Sequence, residues 1–447
     1  MLDVNSGAVH LLDDISYAVS GLLDENMGDT CPQSIIDALP DYTADEIREA
    51  YDELYELKKA GQLFAQDDYI DVSRYIPVNA PVKALCLHVA HDCNLRCQYC
   101  FASTGDFGQG RKIMPPEIAK KAIDFVIARS GVRHNIEVDF FGGEPLMAWD
   151  TVTQTVDYAR SLEEKYNKKF RFTITTNGLL LDEDKRKYIN ENMDNCVLSL
   201  DGRREVNDEF RKTVAGTGSY DTIVPKFKAL VDERDPNLDY YARGTFTSHN
   251  LDFAEDVLSI ADAGFDRLSV EPVTADPGCG YDLTEDDLPK IEAEYDRLTD
   301  IMLERKKEGK PFTFFHFMVD LDQGPCVVKR LRGCGAGYEY VAVTPDGDIY
   351  PCHQFVGKEE FKQGSVLDQS FNMDIAQKFA GMNIYSRPKC QKCWAKFYCS
   401  GGCSAANYNM NHDMNDSYDL GCEMERKRLE CAIYLKAMDK ICANQSK

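Results

Sequence analysis

The sequence predicts an α/β protein: a partial (β/α)6 barrel preceded by a small winged-helix-like module and followed by a cysteine-rich region. Three observations predict it. Between residues 84 and 273, six short apolar runs rich in β-formers alternate with helical patterns, and such repetition implies a parallel sheet covered by helices. The first 80 residues carry their own turn and helix-cap signals. From Cys326 to Cys422 periodicity gives way to irregular, cysteine-rich chain.

At 447 residues the chain is too long for one ordinary domain, and the patterns divide it at 1–80, 81–310 and 311–447. In the first module, MLDVNSGAVHLL reads as a hairpin around Asn5, Ser6 and Gly7. Helical stretches follow at 13 to about 25 and 33–39. A third opens on Thr43 as N-cap, with acids in its first turn, and runs to Lys59 before Gly61. GQLFAQDDYI supplies a short strand or wing, and 77–81 is a linker. The barrel strands are expected at 84–90, 136–142, 170–178, 196–202, 241–248 and 267–273. Helices fall between them, for example at 115–129, with prolines near the start, and at 220–234. A long charged helix is expected at about 285–309 and a last one at about 423–441.

Composition excludes several roles. A formal net charge of −24 repels nucleic acid and anionic membranes. No run approaches ~18 apolar residues, and no basic-then-apolar export signal opens the chain. Seventeen cysteines without such a signal argue for reduced thiols in a cytoplasm, available as metal ligands, rather than for disulfides.

The sequence HDCNLRCQYC follows the first barrel strand, where barrel chemistry sits. The spacing of Cys93, Cys97 and Cys100 wraps one loop around a cubane, giving three thiolates to four irons. One iron is left to chelate a small molecule through amine and carboxylate. A zinc site or incidental cysteines are the alternatives; the position after strand one and the aromatic Tyr99 weigh against them. The loop resembles that of the radical S-adenosylmethionine (SAM) superfamily. Phe141-Gly142-Gly143-Glu144-Pro145 ends strand two as the family's GGEP motif does. There a backbone edge free of side chains binds the SAM amino group, and glycine permits the approach. Thr175, Thr176 and Asn177 end strand three; Ser199 and Asp201 end strand four. The resemblance implies that Ser199 lies near the SAM ribose or methionyl part. Arg211 resembles the arginine that pairs with the SAM carboxylate, a task suited to a guanidinium fork.

Seven further cysteines, Cys334, Cys352, Cys390, Cys393, Cys399, Cys403 and Cys422, resemble the SPASM extension of radical SAM peptide-modifying enzymes. The resemblance implies two auxiliary clusters. Cys390, Cys393, Cys399 and Cys422 would hold one; Cys334, Cys352 and Cys403 would hold the other and leave it an open iron. Two structural zinc sites are the alternative, but zinc favours closed four-ligand sites, into which seven cysteines do not divide. Cys326 is either an eighth ligand or an idle thiol. Cys86, Cys196 and Cys431 read as core filler, and FTFFHF (312–317) and His134 as core and loop. Trp394 reads as a cluster shield.

End to end, the chain resembles the maturases of SCIFF peptides (six cysteines in forty-five), which install thioether crosslinks between cysteine and threonine. LCLHVAHDCNLRCQYCFAS, EVDFFGGEPLM and VTPDGDIYPCHQFVG carry that likeness. It implies three [4Fe–4S] clusters, SAM cleaved to a 5′-deoxyadenosyl radical, and sactipeptide-type chemistry. It also implies a cysteine-rich precursor peptide whose leader the N-terminal module captures by strand addition. An external one-electron reductant such as flavodoxin or ferredoxin would feed the clusters. The alternatives are a SPASM enzyme making a carbon–carbon crosslink or oxidising cysteine or serine to formylglycine, and a non-catalytic iron–sulfur peptide-binding protein.

Overall fold

The computed structural model describes residues 1–75, 80–321 and 327–445. Six parallel strands form the barrel wall: β1 (Ala84–His91), β2 (Asn135–Gly142), β3 (Lys169–Thr176), β4 (Asn195–Ser199), β5 (Asp239–Phe246) and β6 (Arg267–Pro272). They pair in chain order, as right-handed βαβ crossovers direct. All six expected strands are present, with ends shifted by a few residues. In β2 and β3 the alternate positions Ile136, Val138, Phe140, Phe170, Phe172 and Ile174 are fully buried, in one cluster with Phe125, Val152 and Val156 of the covering helices. The rings of Phe140 and Phe172 stack at 5.8 Å within that sheet–helix core. β1 is buried along its whole length, because the sheet continues on both of its edges.

That continuation was not foreseen. Tyr340–Val343, from the cysteine-rich third, pairs in parallel with β1, Ala84 opposite Tyr340 and Leu87 opposite Val343. Asp348–Tyr350, Gly364–Ser365 and Ser370–Phe371 extend the sheet outward by antiparallel pairing. On the far edge, Thr313–Phe314 pairs in parallel with β6, so the sheet runs past the boundary expected at residue 310. Lys83 and Arg133 both reach the carboxylate of Glu339, itself 6% exposed. The C-terminal helix, Asp419–Gln445, begins earlier than expected and returns to Leu288–Lys307, where Lys427 pairs with Asp296 at 2.6 Å.

In the N-terminal module Thr43 caps Ala44–Lys59 through a reciprocal capping box with Glu46. Ile47, Tyr51 and Leu54 on that helix bury against Val19. The first helix is shorter than expected, Asp14–Ser20. Leu2 and Val9 form an antiparallel bridge across the turn at Gly7 (φ +74°). The expected wing in GQLFAQDDYI is not a strand; Tyr69–Tyr75 is helical instead. Its polar groups are taken elsewhere: Ala65 exchanges hydrogen bonds with Asn5 and Asp3, and Asp67 pairs with Lys396 at 2.7 Å. The expected linker lies mostly at 76–79, and Cys326 lies at 322–326, both outside the described residues. Among the described residues no helix is long and apolar enough to cross a membrane.

Candidate functional site

The loop after β1 carries Cys93, Cys97 and Cys100 and is fixed by the segment that follows Asp201. Arg96 N–H donates to the Lys212 carbonyl at 2.7 Å, and Gln98 N–H to that of Phe210 at 3.1 Å. Arg96 also donates its guanidinium to the Cys93 and Leu95 carbonyls. Burial pushes the Cys93 thiol up to about 12 and Cys97 to about 11. Both therefore hold protons at neutral pH until a metal takes their place.

The three thiols share a cavity of about 370 Å³ with Tyr99, Gly142, Gly143, Glu144, Pro145, Thr176, Asn177, Ser199 and Arg211. Every sequence-selected residue of this group lines it except Asp201. Asp201 is wholly buried and acts from behind. It accepts from Tyr99 Oη at 2.5 Å, from Arg211 Nη2 at 3.0 Å and from Thr245 N–H at 3.1 Å. The Arg211 guanidinium lies over the Tyr99 ring, 5.5 Å from its centroid. Burial opposes its charge, but Asp201, Tyr99 and Cys97 outweigh burial and hold its pKa up.

The two glycines line the cavity and also permit a close approach within the chain itself. A Cβ on Gly142 (φ +130°) would collide with the Ala90 carbonyl, and one on Gly143 with that of Asp92. Gly143 and Glu144 donate their amides to those same carbonyls at 2.7 and 2.9 Å. The motif thus clamps the cysteine loop. Glu144, 1% exposed, ties strand ends together, accepting from Thr176 Oγ1, Asn177 N–H and Leu146 N–H. Burial pushes its carboxyl up to about 7 against the pull of those bonds. Asn177 donates to Asn94 at 2.7 Å and approaches Cys93 Sγ at 3.6 Å.

In the C-terminal third, Cys390, Cys393, Cys399 and Cys422 line one cavity of about 220 Å³. Cys390 sits on Pro388–Gln391, Cys399 ends Lys396–Cys399, and Cys422 rides on the C-terminal helix. Cys352, Cys403 and Cys334 form a second set, each within electrostatic reach of the others. Cys352 is buried; Cys334 and Cys403 are exposed. Among the described residues no three His, Cys, Asp or Glu side chains converge on a point that would hold a single metal ion. Trp394 is half-buried and lines neither cavity. Cys86, Cys196 and Cys431 are core residues.

The profile described as the radical SAM superfamily matches residues 87–238, and that described as the SPASM iron–sulfur cluster-binding domain matches 334–394. The chain carries a radical SAM domain and a SPASM domain. It is 25% identical to a cysteine-type anaerobic sulfatase-maturating enzyme of Clostridium novyi, over 74% of this chain and 90% of that one. It is 26% identical to the mycofactocin maturase MftC of Mycolicibacterium smegmatis, over 74% and 80%. Among solved structures, native anSMEcpe with bound AdoMet and Kp18Cys peptide superposes with a TM-score of 0.65, at 20% identity, covering 80% of this chain and 99% of that one. Streptococcus suis SuiB bound to the precursor peptide SuiA gives 0.54, at 18% identity, covering 91% and 92%.

A radical SAM/SPASM protein implies iron–sulfur clusters and SAM, and the residues present fit them. Thiols wall both cavities. Arg211 Nε is buried without a partner, an unused donor on a residue lining the first cavity. Sequence reasoning missed part of that wall: Arg243 and Glu271, paired across β5 and β6, with His353 and Gln354. Arg243 and Glu271 sit in apolar strand patterns, and a charged residue at an inward position was the available signal.

The clamp makes a prediction. Gly143→Ala is expected to push the Asp92 carbonyl, and Cys93 with it, out of place. Iron held by this loop should be lost and 5′-deoxyadenosine formation should drop at least tenfold. Full iron and normal SAM cleavage would show that the loop does not depend on this contact.

Proposed function

We propose that the chain is a maturase that forms thioether crosslinks in a cysteine-rich precursor peptide, joining cysteine sulfur to a carbon of an acceptor residue, threonine in the first instance. One observation carries this reading. The cavity holding Cys93, Cys97 and Cys100 is also lined by His353 and Gln354, which directly follow Cys352 of the three-cysteine set. A peptide in that cavity would lie against the segment that carries Cys352.

When bound, the first cluster and SAM supply a 5′-deoxyadenosyl radical, and the auxiliary clusters supply an electron acceptor with one iron open to a thiolate. The chain's own residues orient and enclose. Arg211, held by Asp201 and Tyr99, offers its unused Nε–H to a carboxylate. Ser199 and Thr175 line the same cavity, and Ser199 would lie near the ribose or methionyl part of SAM. Arg243 and Glu271 neutralise each other at the mouth of β5 and β6. The N-terminal hairpin, bridged at Leu2 and Val9, offers an edge for a leader segment. Three clusters, seven C-terminal ligands and an external one-electron reductant complete the reading.

Incubating reconstituted protein with a cysteine-rich precursor, SAM and reductant tests it. The product should lose two hydrogens per crosslink and one alkylatable thiol per crosslink. Loss of hydrogens with every thiol still alkylatable would indicate carbon–carbon bonding and overturn the proposal. Formylglycine would do the same in favour of a sulfatase-type activity.

A further inference from the structure

Arg387 lies between the two C-terminal thiol sets. Three residues ahead of Cys390, its carbonyl accepts the amide of Cys390 at 3.0 Å. Its guanidinium crosses to the other side. Nη1 donates to the carbonyl of Gly401, between Cys399 and Cys403, and Nη2 to Ser404 Oγ, next to Cys403, at 2.9 Å. Gly401 (φ +89°) leaves the room: a Cβ there would collide with Nη1.

The residue is 3% exposed, and its Nε is buried without a partner. Both of its hydrogen bonds go to neutral oxygens, and no carboxylate among the described residues pairs with it. Arg426, the other guanidinium near the four-cysteine site, approaches Cys393 Sγ at 4.0 Å and is already neutralised by Glu423. Arg387 is not. A buried cation without a counter-charge is costly enough that natural chains rarely retain one. The ionisable groups in its electrostatic surroundings include thiols of both sets, Cys390 and Cys399 on one side and Cys403 and Cys334 on the other, which carry charge once they ligate a cluster.

We propose that Arg387 is the shared counter-charge of the two auxiliary clusters, a positioning residue that raises the reduction potential of both. A thiolate-ligated cluster becomes more negative on reduction, so a fixed cation between two clusters favours the reduced state of each. The inference rests on the assignment of both thiol sets as cluster ligands.

Redox titration followed by electron paramagnetic resonance, on the full reconstituted chain, tests it. In Arg387→Gln the reduction equilibrium of both auxiliary clusters should shift about tenfold toward the oxidised state, about 59 mV for a one-electron couple. The first cluster should move less than twofold, and Arg387→Lys, which keeps the charge, should stay within twofold of wild type. Unshifted auxiliary potentials in Arg387→Gln with full iron would overturn the inference while leaving the clusters assigned. If Arg387→Gln cannot hold auxiliary iron, the lysine variant decides. Retained iron and potentials support a charge role, whereas loss in both variants shows that the fork to Gly401 and Ser404 is structural and overturns it. Absence of C-terminal iron in the wild type would instead overturn the cluster assignment itself.

Discussion

Replacing Cys93, Cys97 and Cys100 together by alanine is expected to abolish 5′-deoxyadenosine formation while leaving, on the proposed three-cluster reading, about eight of about twelve irons. The loss should be complete rather than graded, because among the described residues these are the cysteines that line the first cavity. The remaining iron should survive because Cys390, Cys393, Cys399 and Cys422 surround a separate space. The loop itself should keep its path. Its backbone is held by Lys212 and Phe210 and its rim by the Gly143 and Glu144 amides, none of which needs a thiol. Iron and sulfide content with anaerobic SAM turnover, compared with wild type, checks both halves. A wild type holding only about four irons would remove the auxiliary clusters from the account.

Asp201→Ala should be nearly as damaging to SAM binding, from a buried position behind the cavity wall. The substitution strips three groups of their acceptor at once: Tyr99 Oη, Arg211 Nη2 and Thr245 N–H. Arg211, 9% exposed, would be left as a buried cation with no partner, at a cost of about 3–5 kcal/mol. Because residues 210 and 212 hold the cysteine loop, the damage should spread there. Expected results are a SAM affinity at least tenfold weaker and faster amide exchange across 93–100 and 210–213. The double variant Asp201→Ala/Arg211→Met separates the two effects. It should regain stability, since no charge is stranded, but not SAM affinity. Normal SAM binding by Asp201→Ala would mean that Arg211 orients itself unaided.

The strands and most helices were legible because their signals are local: β-rich runs of about the right length, the Thr43–Glu46 capping box, and prolines 115 and 116 opening Pro116–Arg129. The cysteine loop and its glycine-rich companion were legible because spacing along one loop fixes what it can wrap. Features that depend on distant pairing were not. Nothing in YVAV announces that Tyr340–Val343 docks beside β1, some 250 residues away. Asp201 illustrates the same gap at the site. Its place at a strand end suggested contact with the cosubstrate, but only the fold shows Arg211 folding back over it. GQLFAQDDYI alternates well enough for a strand, yet Asp67 is claimed by Lys396 and Tyr385 from the far end of the chain. Tertiary partners overrode the local pattern there.

The parallel pairing of Tyr340–Val343 with β1 has a practical consequence for dissecting the molecule. Without that strand, β1 becomes an open edge of unpaired amides and carbonyls flanked by Leu85 and Leu87, both fully buried in the intact chain. Long apolar edges of that kind recruit strands from other molecules. A fragment ending near residue 310 would therefore aggregate rather than behave as a minimal radical enzyme, and the cysteine-rich third acts as the barrel's solubilising cover as well as its companion.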